Sequence, residues 1–300
     1  MLQKCMILYF TLLATSKSLQ YDRKDLSGCL ISQYGVDGFG HQLEGKLSCM
    51  IAAEINPNFT YIHRPFKSME HGTHSGEAER FSGNGTGFIR HEELNFNFTF
   101  QEKTPPVFIL QAAVNQSKDI RCNDTTIYTT DNCWEYIYVP PAVFQLENLT
   151  IRNKLRYMYY STPKPNTGFD PSKKNIAVHV RFRAKDRLLS LQYYKRGFSF
   201  YRDMYHDPVF WILADDPNWH GHEALKASMP KGHVHVPSKD SSLFTDFHRM
   251  VAADGLIMSH SSLSSAAALL SNASRIVGFR PGSRGKWFES STRFMVFGRN

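Results

Sequence analysis

Ile176-Ala177-Val178-His179-Val180-Arg181-Phe182-Arg183 is an apolar, β-branched run that stops abruptly at ionisable residues. A strand buried on both faces of a parallel sheet reads this way, and its carboxyl end opens into a crevice. The pattern returns in Phe210-Trp211-Ile212-Leu213-Ala214-Asp215-Asp216 and in Asp254-Gly255-Leu256-Ile257-Met258-Ser259-His260-Ser261-Ser262-Leu263-Ser264. Strands are therefore expected near 176–182, 208–214, 232–236, 255–259 and 275–279. The intervening stretches 191–206, 217–229, 242–253 and 261–272 have helical length. Strict strand-helix alternation predicts an α/β unit with a parallel sheet covered on both faces. Ala266-Ala267-Ala268-Leu269-Leu270 reads as the close-packing face of one covering helix.

Upstream, Ser161 to Lys174 carries Pro163, Pro165 and Pro171 among turn formers, which precludes a regular element. It reads as a linker over 163–175 between a first domain, 21–162, and a second, 176–300. In the first domain Cys29 to Tyr34 is a strand, Gly35 to Gly40 a tight turn, Gln42 to Ile55 a helix and Phe59 to His63 the next strand. Residues 64–105 read as an irregular excursion. Val107 to Val114 and Trp134 to Val139 suit further strands, and Pro140 to Tyr160 a helix.

Three hundred residues suit two domains, and 42% hydrophobic with 13% aromatic residues excludes a disordered chain. The net charge of +8 and a pI near 9.2 favour an anionic partner. No Lys/Arg run of nucleic-acid type occurs, so a phosphate-bearing small ligand or simply a basic solvated surface explains the balance.

Residues 1–20 have the layout of a secretory signal, with Lys4 before the apolar run Cys5 to Ala14. That run spans roughly 15 Å as a helix, about half a bilayer core, so a cleaved signal is expected rather than a stable membrane span. Sequons at Asn58, Asn84, Asn97, Asn115, Asn123, Asn148 and Asn272 point the same way, to passage through the ER and Golgi lumen or secretion. Cys29, Cys49, Cys122 and Cys133 are an even set suited to disulfides there. Cys122 with Cys133 would close a short polar loop and leave Cys29 with Cys49; the other two pairings stay open.

Two constellations suit an anionic substrate. Asp37-Gly38-Phe39-Gly40-His41-Gln42 joins a strand to a helix, where backbone N–H groups and the helix dipole favour a phosphate. An ordinary strand-to-helix turn uses the same residues. Arg181, Arg183, Lys185 and Arg187 gather at the end of the strand from Ile176, with Asp186 close enough to orient one of them. His179, Arg181 and Arg183 alternate and so share a face. Asp215-Asp216, His71 with His74, and His233 with His235 could in principle hold a metal. A strand-end cap suits the acids better, and the histidines lack a carboxylate or cysteine set.

In order and spacing these segments resemble the fucosyltransferases, the α-1,2-fucosyltransferase family in particular. Gly38-Phe39-Gly40-His41-Gln42 looks like their Gly-x-Gly-x-Gln element and Val178-His179-Val180-Arg181 like their His-x-Arg signature. Phe210 to Asp216 with Pro217 and Trp219 resembles their double-aspartate strand. Asp246-Phe247-His248-Arg249-Met250 and Asp254 to Ser264, continued by Asn272 to Pro281 and Trp287, resemble the final nucleotide-binding element. The matches run in family order over most of residues 30–290.

The resemblance implies a GT-B fold, two Rossmann-like domains facing a cleft, and inverting transfer of fucose from GDP-fucose to a hydroxyl of a glycan or glycoprotein, with no metal or other cofactor. It puts Arg181 on the donor diphosphate, Ser259, Ser261 and Ser262 in a serine-rich loop near the nucleotide, and Asp246 and His248 toward the nucleoside. The family has two adjacent arginines where Phe182 here separates Arg181 from Arg183, and often an Asn where His41 stands. Related enzymes use an acid beside the glycine turn as base, which makes Asp37 the first candidate and Glu44 the second. Asp37 as a turn cap is the alternative. The rival functions are a GT-B enzyme with another nucleotide sugar, a metal-dependent GT-A enzyme, and a secreted glycan-binding or inactive transferase-like protein.

Overall fold

The computed structural model describes residues 22, 25–26, 28–33, 35–55, 57–69, 74–95, 97, 99–101, 126–130, 133, 149–182, 188–215, 221–230, 232–236, 241–279 and 293–297. Residues 1–20, both strand expectations at 107–114 and 134–139, Arg183, Lys185, Asp186, Arg187 and Asp216 lie outside them, as do His71, Cys122, Asn115, Asn123 and Asn148.

The chain is α/β and builds two parallel sheets, the GT-B arrangement. The first joins β1 (Cys29–Gln33), β2 (Phe59–His63), β3 (Ile89–Arg90), β4 (Thr99–Gln101) and β5 (Thr126–Thr130) in the order β3-β2-β1-β5-β4. Its helices are α1 (Phe39–Ile55), α2 (Ser75–Ser82) and α3 (Leu149–Tyr160). The second joins β6 (Asn175–Val180), β7 (Val209–Ala214), β8 (Val234–His235), β9 (Gly255–Ile257), β10 (Arg275–Phe279) and β11 (Phe294–Phe297) in the order β11-β10-β9-β6-β7-β8. It carries α4 (Leu191–Met204), α5 (Gly221–Lys226), α6 (Leu243–Ala252) and α7 (Ser262–Leu270). Every strand pairing among the described residues is parallel.

The β6 run is buried along its whole length, because helices cover both faces. Ile176, Val178 and Val180 face the cluster under α4, with Tyr193, Phe198 and Phe210. Ala177 faces the opposite cluster, which contains α6 and α7 residues and extends into α1, α2 and α3 of the first half. Period-two alternation therefore turns His179 away from α4, toward the side where the two halves meet.

That meeting is close. The first turn of α1 lies on the first turn of α7, and a Cβ placed on Gly40 would come within 2.7 Å of the Leu263 backbone. Beside it Phe39 makes edge-on contacts with Phe244 and Phe247 of α6, ring centroids 5.3 Å apart in each case. Each such pair adds about 0.5–1.5 kcal/mol beyond the area it buries. Because α1 starts at the carboxyl end of β1 and α7 just beyond that of β9, this contact turns the carboxyl ends of both sheets toward one another.

Several expectations are corrected. Cys49 bonds Cys133, 84 residues away, rather than leaving Cys133 to close a short loop with Cys122. Strand β5 lies beside β1, so Cys133, just past its end, reaches the buried face of α1, where the Cys133 N–H also donates to Ser48 Oγ at 2.8 Å. Closing so long a loop stabilises by about 4 kcal/mol. Cys29 is also disulfide-bonded. The stretch 64–105 is not wholly irregular, since α2, β3 and β4 arise there. Each is too short to carry a readable period. Helix α1 begins at Phe39, three residues before the expected start, because the Gly38 carbonyl already accepts the N–H groups of His41 and Gln42.

Gly40→Ala should push the α1 and α7 backbones apart and destabilise by about 1–3 kcal/mol. Chemical denaturation of wild type and variant measures this. An unchanged midpoint would show that the contact has slack.

Candidate functional site

In the second sheet the chain runs outward from β6 through β7 to β8, then returns to β6's other side with β9 and continues to β10 and β11. The reversal leaves a crevice at the carboxyl ends of β6 and β9, the place where open α/β sheets bind ligands. Two buried polar side chains meet there: His179 Nδ1 lies 2.8 Å from Ser259 Oγ. Burial, reinforced by the Arg181 charge, holds the His179 pKa down to about 3, so the imidazole is neutral at physiological pH.

Arg181 follows directly. Its Nη1 pairs with Asp215 at 3.2 Å, while the other Asp215 oxygen accepts the Phe182 N–H at 2.6 Å. The acid at the end of β7 thus fixes both the guanidinium and the turn leaving β6, as a brace between two strands. Arg181 keeps 31% of its side chain exposed. A guanidinium has five N–H donors, so it can still address an anion.

The serine segment builds the start of α7. Ser261 caps the helix by accepting the Leu263 N–H, and Ser264 Oγ donates to the carbonyls of Ser259 and Ser261. Ser262 is the first helical residue and half-buried. Across the interface, Gly38 precedes α1 and Gly40 serves the helix contact. The Gln42 side chain is buried: its amide donates to the Asp37 and Ser68 carbonyls, and its oxygen accepts the Lys67 N–H. Asp37 is 57% exposed; Oδ1 accepts its own neighbour's N–H from Gly38 at 2.6 Å, and His41 stands 3.9 Å from Oδ2. The N-terminal turns of α1 and α7, each with its positive dipole end, converge on this crevice.

Glu44, one turn along α1, bonds Ser265 of α7. Desolvation raises its pKa to about 8, outweighing the Ser265 hydrogen bond, so the neutral form is favoured near neutral pH.

Asp246 lies in the first turn of α6, at the carboxyl end of the second sheet, and receives hydrogen bonds from Ser241 Oγ at 2.7 Å and Arg249 Nη1 at 2.8 Å. His248 turns inward to Tyr159 of α3, Nδ1 to hydroxyl 3.0 Å, and burial with the nearby Lys164 charge lowers it to about 4. The histidine pair at the start and end of the β8 segment separates: His233, just before the strand, meets Asp207 at 3.1 Å, whereas His235 stacks on Trp211.

A second polar cluster, announced by no motif, lies at the carboxyl end of β2. His63 Nε2 is 2.6 Å from Glu79 Oε1, Tyr61 hydroxyl is 3.3 Å from His63 Nδ1, and Glu79 Oε2 accepts the Phe66 N–H. Lys46 of α1, fully buried, donates to the Arg64 carbonyl beside them. Only a strand-terminal histidine hinted at it, and its partner lies 16 residues away on an unpredicted helix. Among the described residues no three His, Cys, Asp or Glu side chains converge as a metal set, and no helix is long and apolar enough to cross a membrane.

The sequence matches no protein-family model and no curated protein. Among solved structures, the fucosyltransferase NodZ from Bradyrhizobium is 15% identical, with a TM-score of 0.47 over 86% of this chain and 97% of that one. The E. coli heptosyltransferase WaaC with ADP is 14% identical, TM-score 0.40, over 91% and 93%. E. coli ADP-heptose lps heptosyltransferase II is 10% identical, TM-score 0.43, over 90% of each chain. At such TM-scores and identities the chemistry of this chain has to be read from its own residues.

Glu44 gives the site a pH signature. Its pKa is 4.5 ordinarily and about 8 in the fold, so between these values the folded state holds more protons and loses stability as pH rises. The slope is at most about 1.4 kcal/mol per pH unit. The melting temperature of Glu44→Gln relative to wild type should therefore increase from pH 5 to pH 8. A constant difference would mean that the carboxyl titrates normally.

Proposed function

We propose that the chain is a GT-B glycosyltransferase of the secretory pathway that moves fucose from GDP-fucose to a glycan hydroxyl with inversion. The observation that carries this reading is the neutral His179–Ser259 pair at the switch point of the second sheet, with Arg181 fixed beside it. A nucleoside diphosphate needs backbone N–H groups, hydroxyl donors and a guanidinium in one crevice, and those groups stand at the ends of β6 and β9 and the start of α7. The choice of fucose rests on the ordered resemblance of residues 30–290 to fucosyltransferases.

In this reading Arg181 and the two helix N-termini stabilise the charge that grows on the leaving diphosphate as the anomeric bond breaks. Ser259 holds the His179 ring against the sheet, and Ser261 and Ser262 present α7 to the phosphates. Asp246, kept in place by Arg249, borders the nucleoside. The acceptor enters from the carboxyl ends of the first sheet.

Arg181→Ala removes a charge-assisted contact and should reduce transition-state stabilisation by about 2–4 kcal/mol. Calorimetry with GDP and transfer from labelled GDP-fucose to a glycan panel test the reading. Wild-type GDP affinity in the variant removes Arg181 from the donor site, and turnover of a different nucleotide sugar by the wild type replaces fucose.

Secretion predicts glycans only where the fold has room. Asn97 and Asn272 are exposed, whereas Asn84 is 2% exposed. Peptide mapping after glycosidase treatment of protein from a eukaryotic secretory host should find Asn97 and Asn272 occupied and Asn84 bare. A product without any glycan counts against the secretory route.

A further inference from the structure

The two sheets face one another, so an acceptor opposite Arg181 meets the carboxyl end of the first sheet. Three carboxylates of the first half come into question there. Glu44 is turned into the helix interface and protonated. Asp37 is open to water, with one oxygen spent on its own turn and the other 3.9 Å from a half-exposed His41. Glu79 differs from both in being held from two sides.

Its Oε1 meets His63 Nε2 at 2.6 Å and its Oε2 accepts the Phe66 N–H at 3.2 Å, which fixes the carboxylate plane. The His63 ring is fixed in turn. It is 1% exposed, its Nδ1 faces the Tyr61 hydroxyl, and the Gly85 backbone, at φ +86, lies so close that a Cβ there would be 2.8 Å from Cδ2. Glu79 nonetheless keeps 24% of its side chain exposed, so a substrate can reach it. The loop that supplies the Phe66 N–H also carries the ring that packs on Phe39, which ties this carboxylate to the contact between the halves.

The groups facing it are Lys46, His63 and the Tyr61 phenol, with the Arg64 charge acting on Lys46 and the Arg90 charge on His63. Desolvation alone would raise the Glu79 pKa, but the His63 hydrogen bond, the Lys46 charge and the Phe66 N–H hold it below the ordinary value. Burial keeps His63 below its ordinary value despite Glu79, so it sits as a neutral ring. A neutral ring with Tyr61 donating to Nδ1 carries its proton on Nε2 and donates to an ionised Glu79. Each carboxylate oxygen has a second lone pair, so this arrangement leaves acceptor capacity for a substrate hydroxyl.

We propose that Glu79, oriented by the positioning residue His63, is the carboxylate that takes the proton from the acceptor hydroxyl. The inference rests on the transferase reading given above. As the acceptor oxygen's lone pair forms the new bond to the anomeric carbon, its proton passes to Glu79. The bond from that carbon to the phosphate oxygen breaks, and its electron pair leaves with the nucleoside diphosphate at Arg181. Asp37 is then a turn residue that Asn can replace.

The test uses the full chain, labelled GDP-fucose and a glycan panel. Glu79→Gln should lower kcat by about two to four orders of magnitude and remove the acid limb of the pH profile, with GDP affinity and melting temperature unchanged. Asp37→Asn should stay within a few-fold of wild type. His63→Gln, which keeps a donor at the Nε2 position, should retain most turnover, whereas His63→Ala should lose at least tenfold in kcat with the donor KM unchanged and the acid limb displaced. If Glu79→Gln melts early, Glu79→Asp replaces it, since the charge stays and only the carboxylate position changes. Wild-type turnover in whichever of these folds overturns the proposal, as does a loss confined to Asp37→Asn. A wild-type enzyme that transfers from no nucleotide sugar rejects the transferase reading itself, a separate outcome.

Discussion

The contact between the first turns of α1 and α7 is the constraint on which the rest of the structure depends. A side chain on Gly40 would collide with backbone, not with a flexible tip, so the two helices reach their spacing only because that position is bare. The three alanines of α7 extend the same close fit, and Phe39 seals its edge against α6. Since each helix begins at the carboxyl end of a central strand, fixing their first turns against one another fixes two sheet ends face to face. The second glycine of the Gly-x-Gly element thus acts by bringing the halves together, while the phosphate-binding potential comes from the helix ends it brings with it.

Around that contact the polar groups divide by environment. His179, His248 and His63 are all held below the ordinary histidine range, chiefly by burial, and at neutral pH they act as neutral hydrogen-bonding rings. Glu44 is pushed the other way, into its neutral form, at the interface itself. Glu79 stays ionised because a ring donor, a backbone N–H and the Lys46 charge outweigh its desolvation. The transfer proposed above needs this separation, with cationic and dipolar groups on the second sheet and an ionised, oriented carboxylate on the first.

The polar cluster of the second sheet was legible in the sequence because its residues are local. His179 and Arg181 end a run whose apolar period is unmistakable, and Ser259 to Ser264 follow another, so strand ends and helix start could be placed without knowing what they pack against. The pairing of Arg181 with Asp215 across β6 and β7 was not readable, since nothing in two separate segments states their register. The polar cluster of the first sheet was less legible still. Glu79 lies on an eight-residue helix in a polar stretch, and its value as a carboxylate comes from His63 and Phe66.

Alternating hydrophobic runs and glycine-proline punctuation determined the fold class, five of the six strands of the second sheet and the order of its helices, because burial on both faces of a parallel sheet imposes a pattern on consecutive residues; the sixth strand, Phe294–Phe297, was not read. Tertiary structure alone decided that Cys49 bonds Cys133, that Gly40 faces Leu263, that Glu44 is neutral and that Asn84 is hidden. These are relations between residues far apart in the chain. Distance, desolvation and charge act through space, and only the folded arrangement of the two sheets sets them.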